Sequence, residues 1–121
     1  MSRLLDTNIL IDALNGVESA LALLLEPQDS AISLVTWMEV LVGARREEDE
    51  AAARLLLDTM RVIPITSIIA ESAWRIRRDS RLKLIDAIIL ATARVDGRTL
   101  WTRNTKDFRE DDPTVHVPYS L

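Results

Sequence analysis

Short apolar segments alternate with stretches of helical periodicity along the whole chain, and this alternation most constrains what it can fold into. Residues 3–5, 31–35, 62–65, 99–102 and 115–117 carry the apolar, β-branched and aromatic character of strands. Residues 9–14, 18–26, 36–44, 51–60, 67–78 and 84–95 carry that of helices. The junctions are punctuated as such elements require: Asp6-Thr7-Asn8 and Ser67 supply helix caps, and Asn15-Gly16 and Asp96-Gly97 supply stops. Strands separated by helices pair in parallel through crossover connections, so the pattern predicts an α/β domain with a mostly parallel sheet. Pro64 puts the 62–65 strand at a sheet edge. Ile69, Ala73 and Ile76 define one buried helix face.

With 121 residues the chain has the size of one domain, and no linker, repeat or low-complexity tract divides it. The charge run 45–50 reads as a solvated helix start, with Glu50 and Arg54 at pairing distance. The chain has no cysteine, which removes disulfides, thiolate zinc sites and a cysteine nucleophile together. Its N-terminal segment carries an acid at position 6 and no apolar run of signal-peptide or membrane-span length, so a soluble cytoplasmic protein is expected.

Four carboxylates fall where a parallel sheet places its binding crevice, beyond the carboxyl ends of the strands. Asp6 follows the first strand, Glu39 lies in the first turn of the helix after the second, and Asp107 follows the fourth. Asp86 begins the helix that runs back into the fourth strand, so it starts from the same end. Gathered carboxylates repel one another unless a cation sits among them, which makes the set a natural Mg²⁺ or Mn²⁺ site. Each acid also has an ordinary reading. Asp6 can be a cap, Thr36-x-x-Glu39 matches a capping box, and Asp107 can stabilise a turn. Asp86, enclosed in Leu84-Ile85-Asp86-Ala87-Ile88, needs either a cap role or an arginine from the 75–78 stretch to offset the cost of a buried charge.

The segments Leu5-Asp6-Thr7-Asn8, Thr36-x-x-Glu39 with Gly43, Asp86-Ala87-Ile88-x-x-Ala91-x-Ala93, and Thr102-Arg103-Asn104-Thr105-Lys106-Asp107-Phe108 together resemble the PIN-domain family. Within it, the short length and these motif variants resemble the VapC-type toxins of toxin–antitoxin pairs. The resemblance implies a single domain over residues 1–121 with helices around a parallel sheet in strand order 3-2-1-4-5. It also implies Mg²⁺- or Mn²⁺-dependent RNA cleavage, homodimerisation, and a VapB-like antitoxin that covers the site. Asp6, Glu39 and Asp86 match the family's acids, and Thr7, Asn8, Thr102 and Asn104 match its supporting polar positions, with Thr7 or Thr102 expected on phosphate. Many relatives carry an acid at the position of Asn104, so that role is shared with or moved to Asp107.

A net charge of −4 is unusual for a nucleic-acid enzyme. However, the 19 acidic residues less the four candidates balance the 15 Lys and Arg, and bound cations would invert the pocket's sign. Arg103, Lys106, Arg81 and Lys83 are the candidate phosphate contacts. His116 receives no role, and Trp37, Trp74 and Trp101 fall where core or dimer packing is expected. Two rival readings remain: a Mg²⁺-dependent phosphohydrolase, which would want an acid where Asn8 stands, and a catalytically silent binding module of the same fold.

Overall fold

The computed structural model describes residues 2–121. In chain order the elements are β1 Ser2–Leu5, α1 Thr7–Leu14, α2 Glu18–Leu24, β2 Asp29–Ser33, α3 Leu34–Gly43 and α4 Glu47–Asp58. They continue with β3 Arg61–Ile63, α5 Ser67–Asp79, α6 Leu84–Val95, β4 Thr99–Trp101 and β5 Val115–His116. The strands form one sheet in the order β3-β2-β1-β4-β5, and every adjacent pair is parallel. This is the expected architecture, and β3 takes the edge position that Pro64 indicates.

Because successive strand side chains point to opposite faces, the sheet feeds two apolar layers. Leu4, Ala31, Ile63 and Leu100 face one layer, closed by Ile69 and Ala73 of α5 and Ile89 and Leu90 of α6. Leu5 and Ile32 face the other, closed by Ile9 and Leu10 of α1, Leu23 of α2, Val40 of α3 and Leu57 of α4. Burying each such aliphatic side chain contributes roughly 1.5–3 kcal/mol. Exposed ion pairs such as Arg54–Glu50, 2.9 Å apart, contribute at most about 1 kcal/mol each, so the two layers hold the fold.

The amino-terminal edge of the sheet is tied by two buried guanidiniums. Arg3, 1% exposed, donates to Ser30 Oγ at 2.7 Å, Glu26 Oε1 at 3.0 Å and the Leu23 carbonyl at 2.8 Å, and lies 4.6 Å over the Trp101 ring. Arg98, in the turn before β4, donates to Asp96, to the Asp29 carboxylate and to the Asp29 carbonyl. That turn depends on Gly97, which adopts φ +67°, as Gly16 does at φ +79° after α1.

Several boundaries differ from the sequence expectation. The strand expected at 31–35 ends at Ser33, whose hydroxyl accepts from the Val35 amide and caps α3. Thr36 therefore lies inside the helix rather than at a capping box, and Glu39 sits in the second turn instead of the first. Leu34 and Val35 are apolar enough for either element, and the serine cap decides between them. α4 starts at Glu47, four residues before the expected 51, because its first-turn acids favour the positive helix end. The cap of α5 is Thr66, accepting from Ile69 N at 3.2 Å, and not Ser67. Thr66→Ala is accordingly expected to cost about 1 kcal/mol in urea denaturation and Ser67→Ala only a few tenths. Equal costs would contradict this cap assignment.

Candidate active site

α6 precedes β4 and runs antiparallel to the strands, so its first turn, with Asp86, opens at the carboxyl edge of the sheet. Asp6 caps α1 directly after β1, Glu39 rises from α3, and Asp107 lies in the segment leaving β4. All four reach the same edge and act on one another electrostatically. Asp6 is 4% exposed, and its carboxyl is lifted from 3.8 to about 6. Burial is the main cause, repulsion by Asp86 and Glu39 adds to it, and hydrogen bonds from Thr102 and Thr7 offset part of it. The Asp86 carboxyl is also raised, first by burial and then by Asp107 and Glu39, with Lys83 acting in the opposite sense.

Hydroxyls and amides orient these acids. Asp6 accepts from the Thr7 amide at 2.8 Å, the Thr102 hydroxyl at 2.7 Å and Asn8 Nδ2 at 3.4 Å. The Thr7 hydroxyl donates to Glu39 Oε1 at 2.6 Å and lies 3.1 Å from the Thr36 hydroxyl. Thr102 Oγ1 accepts the Asn104 amide at 2.9 Å, and Asn104 Nδ2 donates to Asp107 Oδ2 at 2.9 Å. A continuous chain of hydrogen bonds thus runs Asp107–Asn104–Thr102–Asp6–Thr7–Glu39.

Thr7 and Thr102, expected on phosphate, spend their hydroxyl protons on carboxylates instead, which makes them orienting groups. Thr36, expected as part of a capping box, joins the same network. Asp86 is half-buried rather than enclosed, because Leu84 and Ile85 beside it are exposed, and among the described residues no arginine pairs with it. Arg103 is already engaged. Its guanidinium holds Asp12 through two bonds, Nε to Oδ2 at 2.7 Å and Nη2 to Oδ1 at 3.0 Å, so it is not a free phosphate contact. Lys106, Arg81 and Lys83 are exposed. Lys106, Arg81 and Asp107 line a groove of about 1320 Å³ between α5, α6 and the segment after β4.

Trp37 and Trp101 pack against the α1–α4 layer, but Trp74 stays 45% exposed on α5 with Arg78 stacked 4.9 Å from its ring, so it is not a core residue. Exposed His116 packs on Trp101 at 4.5 Å.

The donor set is entirely hard oxygen, the chemistry of Mg²⁺ and Mn²⁺ rather than of thiolate-seeking metals. Among the described residues no three acidic or histidine side chains already form a closed ligand group. Mg²⁺ does not require one, since it usually keeps several waters and binds through one or two carboxylates. Burial raises the Asp6 and Asp86 carboxyls most, and the repulsion that adds to it is what such a cation would relieve, so the residues present fit the ion.

The sequence model of the PIN domain matches residues 3–111, which takes in all four acids and every strand but β5. The chain belongs to the PIN-domain family. Ribonuclease VapC10 of Mycobacterium tuberculosis is 37% identical over 113 residues, covering 87% of this chain and 84% of that protein. A toxin–antitoxin complex from Klebsiella pneumoniae contains a chain 48% identical to this PIN domain, with a TM-score of 0.89 and coverage of 98% and 99% of the two chains. FitAcB from Neisseria gonorrhoeae matches at 26% identity and a TM-score of 0.77, over 98% of both chains.

One feature of the PIN domain's surroundings escaped the sequence reading altogether. Asp12 is 5% exposed on α1 and accepts from Arg103 and from the Tyr119 hydroxyl at 2.8 Å. The signal was present in Ile9-Leu10-Ile11-Asp12-Ala13-Leu14, a carboxylate set in an aliphatic helix, which demands a buried partner as Asp86 seemed to.

Proposed function

We propose that this PIN domain is a Mg²⁺- or Mn²⁺-dependent endoribonuclease, the toxin of a VapBC-like pair, hydrolysing RNA phosphodiester bonds with a metal-activated water. The observation that carries this reading is the Asp6 carboxyl, buried and raised to about 6 partly by two other carboxylates. Four carboxylates gathered at one edge of the sheet, with Asp6 and Asp86 raised by burial and by their acidic neighbours, are what a divalent cation would stabilise.

In this reading Asp6 and Asp86 would hold the ion directly, and Glu39 and Asp107 would complete its shell or hold its waters. A bound divalent ion supplies a water of lowered pKa and neutralises charge on the phosphoryl oxygens. Thr102 and Thr7 fix which carboxylate oxygens face the pocket, since each hydroxyl occupies one oxygen of Asp6 or Glu39. Asn8 and Asn104 set the rotamers of Asp6 and Asp107. Lys106, Arg81 and Lys83 are the cations available to RNA phosphates at this edge.

A VapB-like antitoxin is the proposed protein partner, supported by the Klebsiella complex at 48% identity. Homodimerisation is proposed as well, with the exposed Met38 and Val42 of α3 and Leu84 and Ile85 of α6 as the apolar surface available to be covered. Among the described residues no single helix is long and apolar enough to cross a membrane. The proposed location is the cytoplasm, where the RNA substrate is.

The test is purified protein incubated with total RNA, with EDTA, and with Mn²⁺ restored, beside the Asp86→Asn variant. Cleavage should stop with EDTA, return with Mn²⁺, and be lost in the variant. Cleavage that survives both EDTA and the substitution would remove the proposal.

A further inference from the structure

The segment leaving β4 carries Thr102, Asn104 and Asp107, and it is exposed from Thr105 to Asp107. A loop of that kind does not hold a carboxylate in place by itself, because its backbone has few packed neighbours to restrain it. Three side chains remote in sequence supply the restraint. Asp12 projects from the last turn of α1, Arg103 sits between Thr102 and Asn104, and Tyr119 comes from the segment after β5. Arg103 grips both oxygens of Asp12 in a bidentate fork, and the Tyr119 hydroxyl donates to Asp12 Oδ2 at 2.8 Å. The Arg103 amide also donates to Asn8 Oδ1 at 3.3 Å, which ties the same residue to the turn bearing Asp6 and Thr7.

We infer that Asp12, Arg103 and Tyr119 are positioning residues, a part-buried clamp that fixes the segment carrying Thr102, Asn104 and Asp107 against the turn carrying Asp6. The inference rests on the function proposed above and adds to it three residues that touch neither RNA nor ion. Asp12 has its acceptor sites filled by charge-assisted bonds, and a two-bond fork transmits orientation as well as attraction. Rotating Arg103 away would release the Asn104 amide from Thr102 and the Thr102 hydroxyl from Asp6, since all three lie on consecutive residues. Tyr119 also holds Asp12, so the segment after β5 contributes to the order of the site through that bond.

The clamp makes a forecast opposite to that of a phosphate-binding arginine. Arg103→Lys keeps the charge and loses the fork, Asp12→Asn keeps the shape and loses the charge, and Tyr119→Phe loses one bond alone. If the residues position the site, Arg103→Lys and Asp12→Asn each weaken Mn²⁺ binding, measured by calorimetry with the metal alone, about 10- to 100-fold, the usual range for groups that orient ligands. Tyr119→Phe gives a smaller loss in the same direction. In the metal-free protein the amides of Arg103, Asn104 and Asp107 exchange hydrogen faster while those of α5 and α6 keep their protection. The affinity for a short single-stranded RNA of mixed sequence, measured by anisotropy in the Asp86→Asn background, stays within about 2-fold of that parent, a change of roughly 0.4 kcal/mol.

Unchanged Mn²⁺ affinity with RNA binding lost in Arg103→Lys, or gained in Asp12→Asn as the arginine is freed, would overturn the inference and make Arg103 a substrate contact. So would unchanged exchange at the three amides. If Arg103→Lys fails to fold, Tyr119→Phe, which removes no charge, decides by the same two measurements. Failure of the underlying function is separate: it would show as wild-type protein that neither binds Mn²⁺ nor cuts RNA.

Discussion

Asp6→Asn is expected to abolish RNA cleavage while making the metal-free protein more stable near neutral pH, by up to about 3 kcal/mol. The carboxyl titrates at about 6 in the fold and at 3.8 when unfolded. Between those values the folded state keeps a proton that the unfolded chain has released, so the stability this group contributes falls as pH rises through the window. The shift of about 2 units, at about 1.36 kcal/mol each, gives roughly 3 kcal/mol lost by pH 6 and no further change above it. Asparagine can still accept from the Thr7 amide, and the Thr102 hydroxyl can turn to accept from its new amide group; the side chain carries no charge, so the variant should lose this pH slope. Chemical denaturation of both proteins at about pH 4.5 and about pH 7.5 measures it. Added Mn²⁺ should then stabilise wild type at the higher pH, by about 2.7 kcal/mol at a hundredfold excess over its Kd, and leave the variant unmoved. Matching pH slopes would refute the electrostatic account of the cluster.

Phe108→Ala is expected to be the most damaging substitution outside the acids, costing about 3–5 kcal/mol. The ring is 2% exposed in the layer between the sheet and helices α5 and α6, and it is the chain's only phenylalanine. For a domain of this length such a loss lowers Tm by roughly 10–20 °C. The effect reaches the site because Phe108 is bonded to Asp107 and its amide donates to the Asn104 carbonyl at 3.2 Å. Removing the ring frees the far end of the segment whose near end is held by Thr102. Lys106→Ala, two residues away and exposed, should stay within about 0.5 kcal/mol. A thermal melt in which both variants behave alike would show that the ring does not anchor this segment.

The alternation of elements was readable from residues alone because each has a local cause: the Asn15-Gly16 and Asp96-Gly97 stops, the amphipathic 67–78 stretch, the apolar strands. Strand order was not, since pairing joins residues far apart in the chain, and here it came from the motif resemblance. The carboxylates could be assigned to one edge because a parallel sheet presents all its strand ends together, whatever their order. Leu34 and Val35 were misassigned because aliphatic residues suit both a buried strand and a buried helix, and a single serine hydroxyl decides. The pairing of Arg103 was not legible for a different reason. Its partner Asp12 lies 91 positions earlier, and nothing in the neighbourhood of either residue specifies the other.

The two ends of the sheet carry different obligations. At the amino-terminal rim, Arg3 and Arg98 join strands and turns through buried bonds whose loss would be felt as instability. At the opposite rim the mutually repelling acids and exposed cations add little cohesion themselves, and what holds that rim lies beneath them, in Phe108 and the Asp12–Arg103 pair. In the function proposed above, substitutions that alter which RNA is recognised would therefore fall at one end of the molecule while the other end keeps it folded.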